Sequence, residues 1–305
     1  MEKLIENIKQ NYKELKVTTM KKIKEKTIND IYLIDNKYVV KIYNIDEEKQ
    51  ILASIKTQKR VHDMLGIAPN IILNNEKQIV SKYDNQLYCI QDFVKSEESR
   101  IDIIEEVARE LFKMHKEFKQ FNQDEYKFEK KSKSFDDIKK EILYNFKILD
   151  EENVEKEVKN SLKILLSTRL KYLEKYHCEY KPQIYQVIHG DIRLSNIIPQ
   201  NNKVYFIDFD FVSKGDLLFE IGCAAMLISN YDLHNVKRFL QVYNSFSDLE
   251  KYDNNLIFTN LLSYYVQSSF PIRLLGKIEN KALKEMIDGR INCLEFCNNF
   301  LESER

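Results

Sequence analysis

The segment that most limits the possible folds and functions of this chain runs from His189 to Asp210. It contains a carboxylate and an amide five positions apart, Asp191 and Asn196, and then a β-rich run that ends in Asp208. A hairpin over this segment would bring the three side chains together. A carboxylate that can orient a hydroxyl, placed beside two oxygen ligands for a hard cation, is the arrangement that phosphoryl transfer requires.

Each of these three residues suits one role. Asp191 is the candidate catalytic base, because a carboxylate beside an acceptor hydroxyl can orient it and take its proton. Asn196 and Asp208 are the candidate Mg²⁺ ligands, since Mg²⁺ prefers oxygen ligands and keeps its other positions for phosphate and water. The pattern therefore predicts metal-assisted phosphoryl transfer without a metal cage made only of protein.

The motif H-G-D-x4-N, followed by I-D-F-D at the end of a strand, resembles the aminoglycoside phosphotransferase and choline kinase superfamily. These proteins are relatives of the protein kinases that phosphorylate small molecules. Protein kinases have H-R-D-x4-N and D-F-G at the corresponding positions. Here Gly190 replaces the Arg of H-R-D, and Phe209-Asp210 follows Asp208 where protein kinases have Phe-Gly. Both differences favour the enzymes that phosphorylate small molecules. The resemblance implies an α+β, protein kinase-like fold of two lobes, with ATP and Mg²⁺ as cofactors and a small-molecule hydroxyl as the acceptor.

The residue pattern before the hinge predicts an antiparallel sheet with one long helix. A short amphipathic helix is expected near Leu4 to Tyr12, and a longer one over Glu47 to Leu65, ending near Gly66. Strands are predicted over Lys16 to Ile23, Ile28 to Ile34, Tyr38 to Tyr43, Gln78 to Tyr83 and Gln86 to Val94, with tight turns at residues 35–37 and 84–85.

Helical periodicity dominates the rest of the chain. Helices are predicted over residues 101–118, 135–149, 154–176, 217–229, 233–246, 256–275 and 281–301. No internal repeat or long linker separates independent domains. We therefore place the boundary at the hinge, with a nucleotide-binding lobe over residues 1–94 and a helical acceptor lobe, which carries the catalytic hairpin, over residues 95–305.

The resemblance also assigns the nucleotide contacts. Lys41 lies in an alternating apolar strand and corresponds to the lysine that binds the α and β phosphates. Asp92, Phe93 and Val94 correspond to the hinge, whose backbone groups would pair with the adenine edge. These four residues are the predicted nucleotide-binding set.

Two features depart from the protein kinase pattern. The helix position at which kinases carry the acidic partner of the lysine is occupied by Gln58, while Glu47 and Glu48 lie earlier and would substitute only in a shifted helix. Which of these residues pairs with Lys41 is left open. A glutamine would bind the ammonium without neutralising its charge.

The glycine-rich phosphate loop is also absent, because Gly66 is the only glycine before residue 190. The first hairpin carries Lys24, Lys26 and Thr27 instead. These residues are either phosphate contacts or, the interpretation we favour, solvated turn residues.

Composition limits the partners. Lys and Arg number 48 and Asp and Glu number 48, so the net charge is zero and neither nucleic acid nor an anionic membrane is an expected partner. No apolar run approaches the roughly 20 residues of a spanning helix. The five cysteines and an N-terminus unlike a secretion signal predict a cytoplasmic protein. Nothing in the sequence indicates the oligomeric state.

The acceptor is not determined by the motif. Aminoglycosides would require several carboxylates, choline would require an aromatic cage to which Tyr264 and Tyr265 could contribute, and homoserine or a sugar also fits the reaction. A rival function is a catalytically weak or inactive kinase-like binding or structural protein, similar to kinase-like spore-coat proteins. A protein kinase is the third alternative.

Overall fold

The computed structural model describes residues 1–24, 29–44, 47–98, 100–126, 133–151, 154–180, 184–246, 253–264 and 269–305. The chain forms two compact units, Met1–Glu129 with Gln186–Gly215, and Lys130–Tyr185 with Asp216–Arg305. The motif from His189 to Asp210 thus belongs to the same unit as the N-terminal sheet. The functional division into residues 1–94 and 95–305 stays a prediction.

The first unit is built on an antiparallel sheet with helices. In chain order its elements are α1 (Glu2–Asn11), β1 (Met20–Lys24), β2 (Asp30–Ile34), β3 (Tyr38–Ile42), α2 (Glu48–Leu65), β4 (Ile71–Ile72), β5 (Ser81–Tyr83), β6 (Gln86–Asp92), α3 (Ile103–Phe118), β7 (Tyr185–Ile188), β8 (Ile197–Gln200), β9 (Lys203–Phe206) and β10 (Ser213–Asp216). The division between the units falls within β7 and β10, since Tyr185 and Asp216 belong to the second unit. The strand order is β1-β2-β3-β6-β4, and β5 also pairs with β6. Strands β8 and β9 form the predicted hairpin within the catalytic motif.

Two tight turns set the register of the sheet. Asp35 and Asn36 join β2 to β3 with φ angles of 49° and 53°, and Asp84 and Asn85 join β5 to β6 with φ angles of 46° and 65°. Paired positive φ values are typical of the turns that match strand twist, and Asn and Asp tolerate them. Both hairpins were predicted from these residues.

The first strand begins later than predicted, at Met20 rather than at Lys16. The reason is a turn residue, Asp35, whose carboxylate accepts hydrogen bonds from the backbone N–H groups of Thr18 and Thr19. These N–H groups are therefore satisfied by a side chain instead of a strand partner. The short strand β4 was not predicted.

The two faces of the sheet pack against different helices. Val40 and Ile42 of β3 lie in a core with α1, in which Leu4 and Ile8 are buried. The alternate residues of β3 lie on the opposite face, because successive strand side chains alternate. On that face a second cluster joins Tyr43 to residues of α2. Lys41 therefore lies on the α2 face of the sheet.

The second unit is helical. Its helices are α4 (Phe135–Glu151), α5 (Lys156–Tyr176), α6 (Leu217–Ile228), α7 (Leu233–Ser245), α8 (Asn254–Tyr264), α9 (Ser269–Arg273) and α10 (Asn280–Ser303). The predicted helix over residues 256–275 corresponds to α8 and α9, and the residues between them lie outside the described part. Among the helices of the described residues, none combines the length and apolar character that crossing a bilayer requires.

A buried cation lies in the core of the second unit. The Arg169 guanidinium is 1% exposed and contacts the Glu141 carboxylate at 3.3 Å and the Ser263 carbonyl at 3.2 Å. Glu141 also pairs with Lys133 at 2.5 Å, so its carboxylate joins the buried Arg169 to a lysine that is more exposed to solvent. The predicted α+β class, with an antiparallel N-terminal sheet and a mainly helical C-terminal part, is confirmed.

Candidate active site

A cavity of about 210 Å³ lies within the first unit, beside the sheet and the β8–β9 hairpin. Its walls are largely aliphatic, and its polar lining includes most of the residues predicted from the motif. The lining includes Ile31, Val39, Lys41, Gln58, Gln91, Asp92, Phe93, Val94, Asn196, Ile198, Ile207 and Asp208. A largely apolar cavity with a few convergent polar groups is typical of a small-molecule site.

The predicted hinge residues form one edge of this cavity. The Asp92 N–H donates to the Asn70 carbonyl at 3.0 Å, and the Phe93 N–H donates to the Lys37 carbonyl at 2.7 Å. Among the described residues, the Val94 N–H has no hydrogen-bond partner, although Val94 is 8% exposed. This edge therefore offers a backbone donor to a bound molecule.

At the other end, Lys41 contacts two carboxylates. Its Nζ lies 2.8 Å from Asp208 Oδ1 and 2.5 Å from Asp210 Oδ2. Asp210 Oδ2 also accepts a hydrogen bond from the Asn29 amide at 2.7 Å. The lysine is thus held between two acids, and one of them is fixed by a third side chain.

These charges shift one another's protonation equilibria. Burial acts to lower the pKa of Lys41, but Asp210 and Asp208 outweigh it and raise that pKa above its usual value. Burial opposes ionisation of Asp208, yet the Lys41 ammonium lowers the pKa of Asp208. Burial and the neighbouring Asp208 raise the pKa of Asp210 in spite of Lys41. The protonation state of each of these three side chains therefore depends on the charges of the other two.

Asp191 lies in a loop that its neighbours hold in place. Its Oδ2 accepts hydrogen bonds from Arg193 at 2.6 Å and from the Asn196 amide at 2.7 Å. His189 is fully buried, and its Nδ1 accepts the Asp191 N–H at 3.3 Å. Within the described part of the chain, Asp191 Oδ1 has no hydrogen-bond partner. One carboxylate oxygen is anchored and the other is available.

The orientation of the Asn196 amide follows from the same contacts. Its Nδ2 donates to the Asp191 carbonyl oxygen at 2.9 Å, and a carbonyl can only accept. The amide oxygen must therefore face away from Asp191, and Asn196 lines the cavity. Together with the Asp208 carboxylate this gives hard oxygen donors and open positions, a set that fits Mg²⁺. No group of three or more His, Cys, Asp or Glu residues suited to a metal occurs among the described residues.

Gly190 is required by the backbone of this loop. Its φ is +85°, and a Cβ there would lie 2.3 Å from the backbone oxygen of Phe211. That separation is far inside van der Waals contact, and the obstacle is backbone rather than a flexible side chain. The glycine that distinguishes the motif from H-R-D therefore has a steric cause.

We expect Gly190→Ala to lower the free energy of unfolding by about 2–4 kcal/mol. The added Cβ would clash with the Phe211 backbone, which cannot move aside like a flexible side chain, and the positive φ adds backbone strain. The matched control is Gly66→Ala. Gly66 has a similar φ of +66° but no atom within 4 Å of the added Cβ, so only the conformational penalty of about 1 kcal/mol applies. Urea unfolding of both variants measures the difference, and equal losses would contradict the steric explanation.

The partner of Lys41 differs from every alternative drawn from the sequence. Gln58 donates to the Pro69 carbonyl at 3.0 Å and to Gln91 Oε1 at 2.8 Å, and Glu47 and Glu48 are exposed. The acid beside Lys41 that was not predicted is Asp210. Asp210 lies two residues after Asp208 in the sequence and could have been considered. No sequence pattern indicated that Asn29 would be hydrogen-bonded to it.

Some predicted contacts lie beyond the described part of the chain. Lys26, Thr27 and Tyr265 are outside the described residues, and so are the side chains of Lys24 and Tyr264.

Comparison with known proteins identifies similar sequences. The sequence model of the Phosphotransferase enzyme family matches residues 19–253. The Protein LicA homolog of Metamycoplasma hominis is 22% identical over 184 residues, which cover 59% of this chain and 61% of that protein. The chain thus matches less than two thirds of the length of this curated relative.

Solved structures share the fold. Spectinomycin phosphotransferase, in complex with ADP and spectinomycin, has a TM-score of 0.69 at 16% identity over 97% of both chains. The GDP complex of wild-type aminoglycoside 2′-phosphotransferase-IIIa has a TM-score of 0.64 at 14% identity, over 98% of this chain and 100% of that chain. A choline/ethanolamine kinase family protein from Mesorhizobium loti has a TM-score of 0.56 at 10% identity, over 91% and 88%. The predicted resemblance and the kinase-like fold are confirmed.

Proposed function

The chain belongs to the phosphotransferase enzyme family, and from this we propose that it transfers the γ-phosphoryl group of ATP to a hydroxyl group of a small molecule. The observation that carries the proposal is the arrangement around one cavity. Lys41, Asn196 and Asp208 line it together with the hinge residues, and Asp191 is hydrogen-bonded to Asn196. Similar structures were solved with ADP and with GDP, which supports a nucleotide as the bound molecule.

The cavity suits a nucleotide in one orientation. The base would lie between aliphatic side chains such as Val39 and Ile198, with its edge against the hinge and the unpaired Val94 N–H. The phosphates would then reach Lys41, whose ammonium offsets their negative charge.

Magnesium belongs to this proposal because the Asn196 and Asp208 oxygens fit it. Bound there, Mg²⁺ would offset the charge that spreads over the phosphate oxygens during transfer. Without the metal, Asp208 and Asp210 both form ion pairs with Lys41. Since Asp210 is also held by Asn29, it can keep Lys41 paired when Asp208 binds the metal. Asp210 would thus do what the helix glutamate does in protein kinases.

Asp191 is the group that acts on the acceptor. Its Oδ1 is available to accept a hydrogen bond from the hydroxyl, which orients the acceptor oxygen for in-line attack on the γ-phosphorus. The proton passes to Asp191 as the new P–O bond forms and the bond to the leaving diphosphate breaks. Arg193 and Asn196, bound to Oδ2, keep the carboxylate in place.

The rival function, a catalytically weak or inactive kinase-like binding or structural protein, was motivated by Gln58 in place of an acid and by the missing glycine-rich loop. The first point loses weight because Asp210 and Asp208 are acidic partners of Lys41, and the second is left to the acceptor screen. A cytoplasmic location remains part of the proposal, because all five cysteines are free and buried, as suits a reducing compartment.

An acceptor screen tests the function. Release of ADP from Mg²⁺ and ATP is measured with an aminoglycoside, choline, homoserine or a sugar added. At least one acceptor is expected to raise the rate about tenfold or more over the acceptor-free rate, since a bound hydroxyl replaces a poorly placed water. Nucleotide binding without stimulation by any acceptor would favour the rival function, and phosphorylation only of proteins would favour a protein kinase.

A further inference from the structure

Phe211 presents an aromatic ring to solvent in the turn that follows Asp208. Its side chain is 47% exposed, whereas the neighbouring Phe209 and Val212 are buried. Among the described residues of the first unit, no other aromatic side chain is exposed. Within the same part of the chain, the Phe211 ring contacts neither another ring nor a cation. The ring is therefore available to a bound molecule.

The turn that carries Phe211 is held in place on both sides. The Phe209 ring lies against the buried His189 ring, with 4.6 Å between the centroids. The Gln50 amide donates to the Val212 carbonyl at 2.6 Å, and the Val212 N–H donates to the Phe209 carbonyl at 3.1 Å. The backbone of Phe211 is thus fixed between two anchored neighbours, and a ring presented in this way loses little freedom when it binds a ligand.

This turn lies beside the loop of the proposed base. Gly190, which directly precedes Asp191, packs closely on the backbone of Phe211. A Cβ at Gly190 would lie 2.3 Å from the Phe211 carbonyl oxygen and 3.0 Å from the Phe211 Cβ. The exposed Leu194 belongs to the same loop as Asp191. Two exposed apolar side chains therefore lie near the carboxylate that acts on the acceptor.

The nucleotide cavity does not use either of these side chains. Neither Phe211 nor Leu194 lines that cavity, so a nucleotide bound there leaves both uncovered. The other molecule that must reach Asp191 is the acceptor, because its hydroxyl is to bind Asp191 Oδ1. The carbon atoms that carry this hydroxyl must then pass close to the turn of Phe211.

A phenyl ring favours one kind of acceptor. It cannot form ordinary hydrogen bonds, so a hydroxyl or amino group placed against it gives up water without gaining a partner. A CH₂ group placed there is stabilised by leaving water. In choline and homoserine the carbon next to the hydroxyl-bearing carbon is a CH₂ group. In sugars and aminoglycosides the corresponding carbon commonly carries oxygen or nitrogen.

We propose that Phe211 contacts the acceptor and selects acceptors in which the carbon next to the hydroxyl-bearing carbon is a CH₂ group. The proposal rests on the proposed function, because it specifies the acceptor of that same site. Phe211 is thus a specificity-determining residue, whereas Arg193 and Asn196 position the base.

The test measures acceptor binding by calorimetry, with Mg²⁺ and a non-hydrolysable ATP analogue bound. In the unchanged protein, choline or homoserine should bind more tightly than glucose and an aminoglycoside. In Phe211→Ala, the affinity for the acceptor that binds most tightly should fall about tenfold, as expected for the loss of one or two CH₂ contacts. Nucleotide affinity should stay within about twofold, because Phe211 does not line the cavity.

Two further variants sharpen the comparison. Phe211→Leu keeps an apolar side chain at this position and should lose less acceptor affinity than Phe211→Ala. Phe246→Ala is the matched control, because Phe246 is 41% exposed at the end of α7 and has no proposed role. It should leave acceptor affinity unchanged.

Acceptor affinity in Phe211→Ala equal to that of the unchanged protein would overturn the proposal. Tighter binding of glucose or the aminoglycoside than of choline and homoserine would also overturn it, and so would no binding of any of the four compounds. Failure of the proposed function alone looks different: an acceptor would bind, its affinity would depend on Phe211, and no phosphoryl group would be transferred to it from ATP.

Discussion

Asp191→Asn is expected to lower kcat by about 10²–10⁴-fold while nucleotide affinity stays within about twofold. The amide is nearly the same size as the carboxylate and can still accept at its oxygen, but it cannot take the acceptor proton. Only the proton transfer and the orientation of the hydroxyl are lost. The measurement is steady-state phosphoryl transfer to whichever acceptor the screen identifies, together with ATP binding.

The control for this variant is Asp84→Asn. Asp84 is exposed in the β5–β6 turn with a φ of 46°, which asparagine also tolerates, so the same chemical change occurs where no role in the reaction is proposed. It should retain full activity. A kcat of Asp191→Asn close to that of the unchanged protein would remove Asp191 from the role of base.

Asp208→Asn is expected to lower activity about a thousandfold or more at ordinary Mg²⁺ concentrations, because the metal loses its charged ligand. Asp208 has a φ of 65°, a conformation open to asparagine, so the change removes charge without straining the backbone. The activity of the variant should increase further as Mg²⁺ is raised beyond the concentration that saturates the unchanged protein. Titration of the rate with Mg²⁺ measures both effects.

Asp210→Asn distinguishes the role of Asp210 from that of Asp208. Asp210 contacts Lys41 and Asn29, and it is not a proposed metal ligand. We expect this variant to raise KM for the nucleotide, because Lys41 is less well held, with the Mg²⁺ requirement unchanged. If both variants shifted the Mg²⁺ titration equally, the separate roles of Asp208 and Asp210 would be wrong.

Local sequence predicted the parts of the fold that depend on neighbouring residues. The turns at Asp35-Asn36 and Asp84-Asn85 were predicted because those residues tolerate positive φ angles. The strand that carries Lys41 was predicted from its alternating apolar residues. The end of α2 at Gly66, which has a φ of 66°, follows from the conformational freedom of glycine.

Contacts between distant segments could not be predicted in this way. The Asp210 carboxylate that pairs with Lys41 also accepts a hydrogen bond from Asn29, which is 181 residues away from Asp210 in sequence. Gln58 was one of three residues considered as the partner of Lys41, but its amide binds the Pro69 carbonyl and Gln91 instead. Such choices are decided by which polar groups remain unsatisfied after packing, and no local pattern records that.

The central claim is that this site moves a phosphoryl group to a small molecule. The most direct measurement is single-turnover transfer from ATP labelled in its γ-phosphate, with Mg²⁺ and the acceptor panel, in the unchanged protein and in Asp191→Asn. The account predicts that label appears on one class of hydroxyl-bearing acceptor with the unchanged protein, and at least about a hundredfold more slowly with Asp191→Asn. Bound nucleotide with no label on any acceptor, or equal rates for the two proteins, would contradict it.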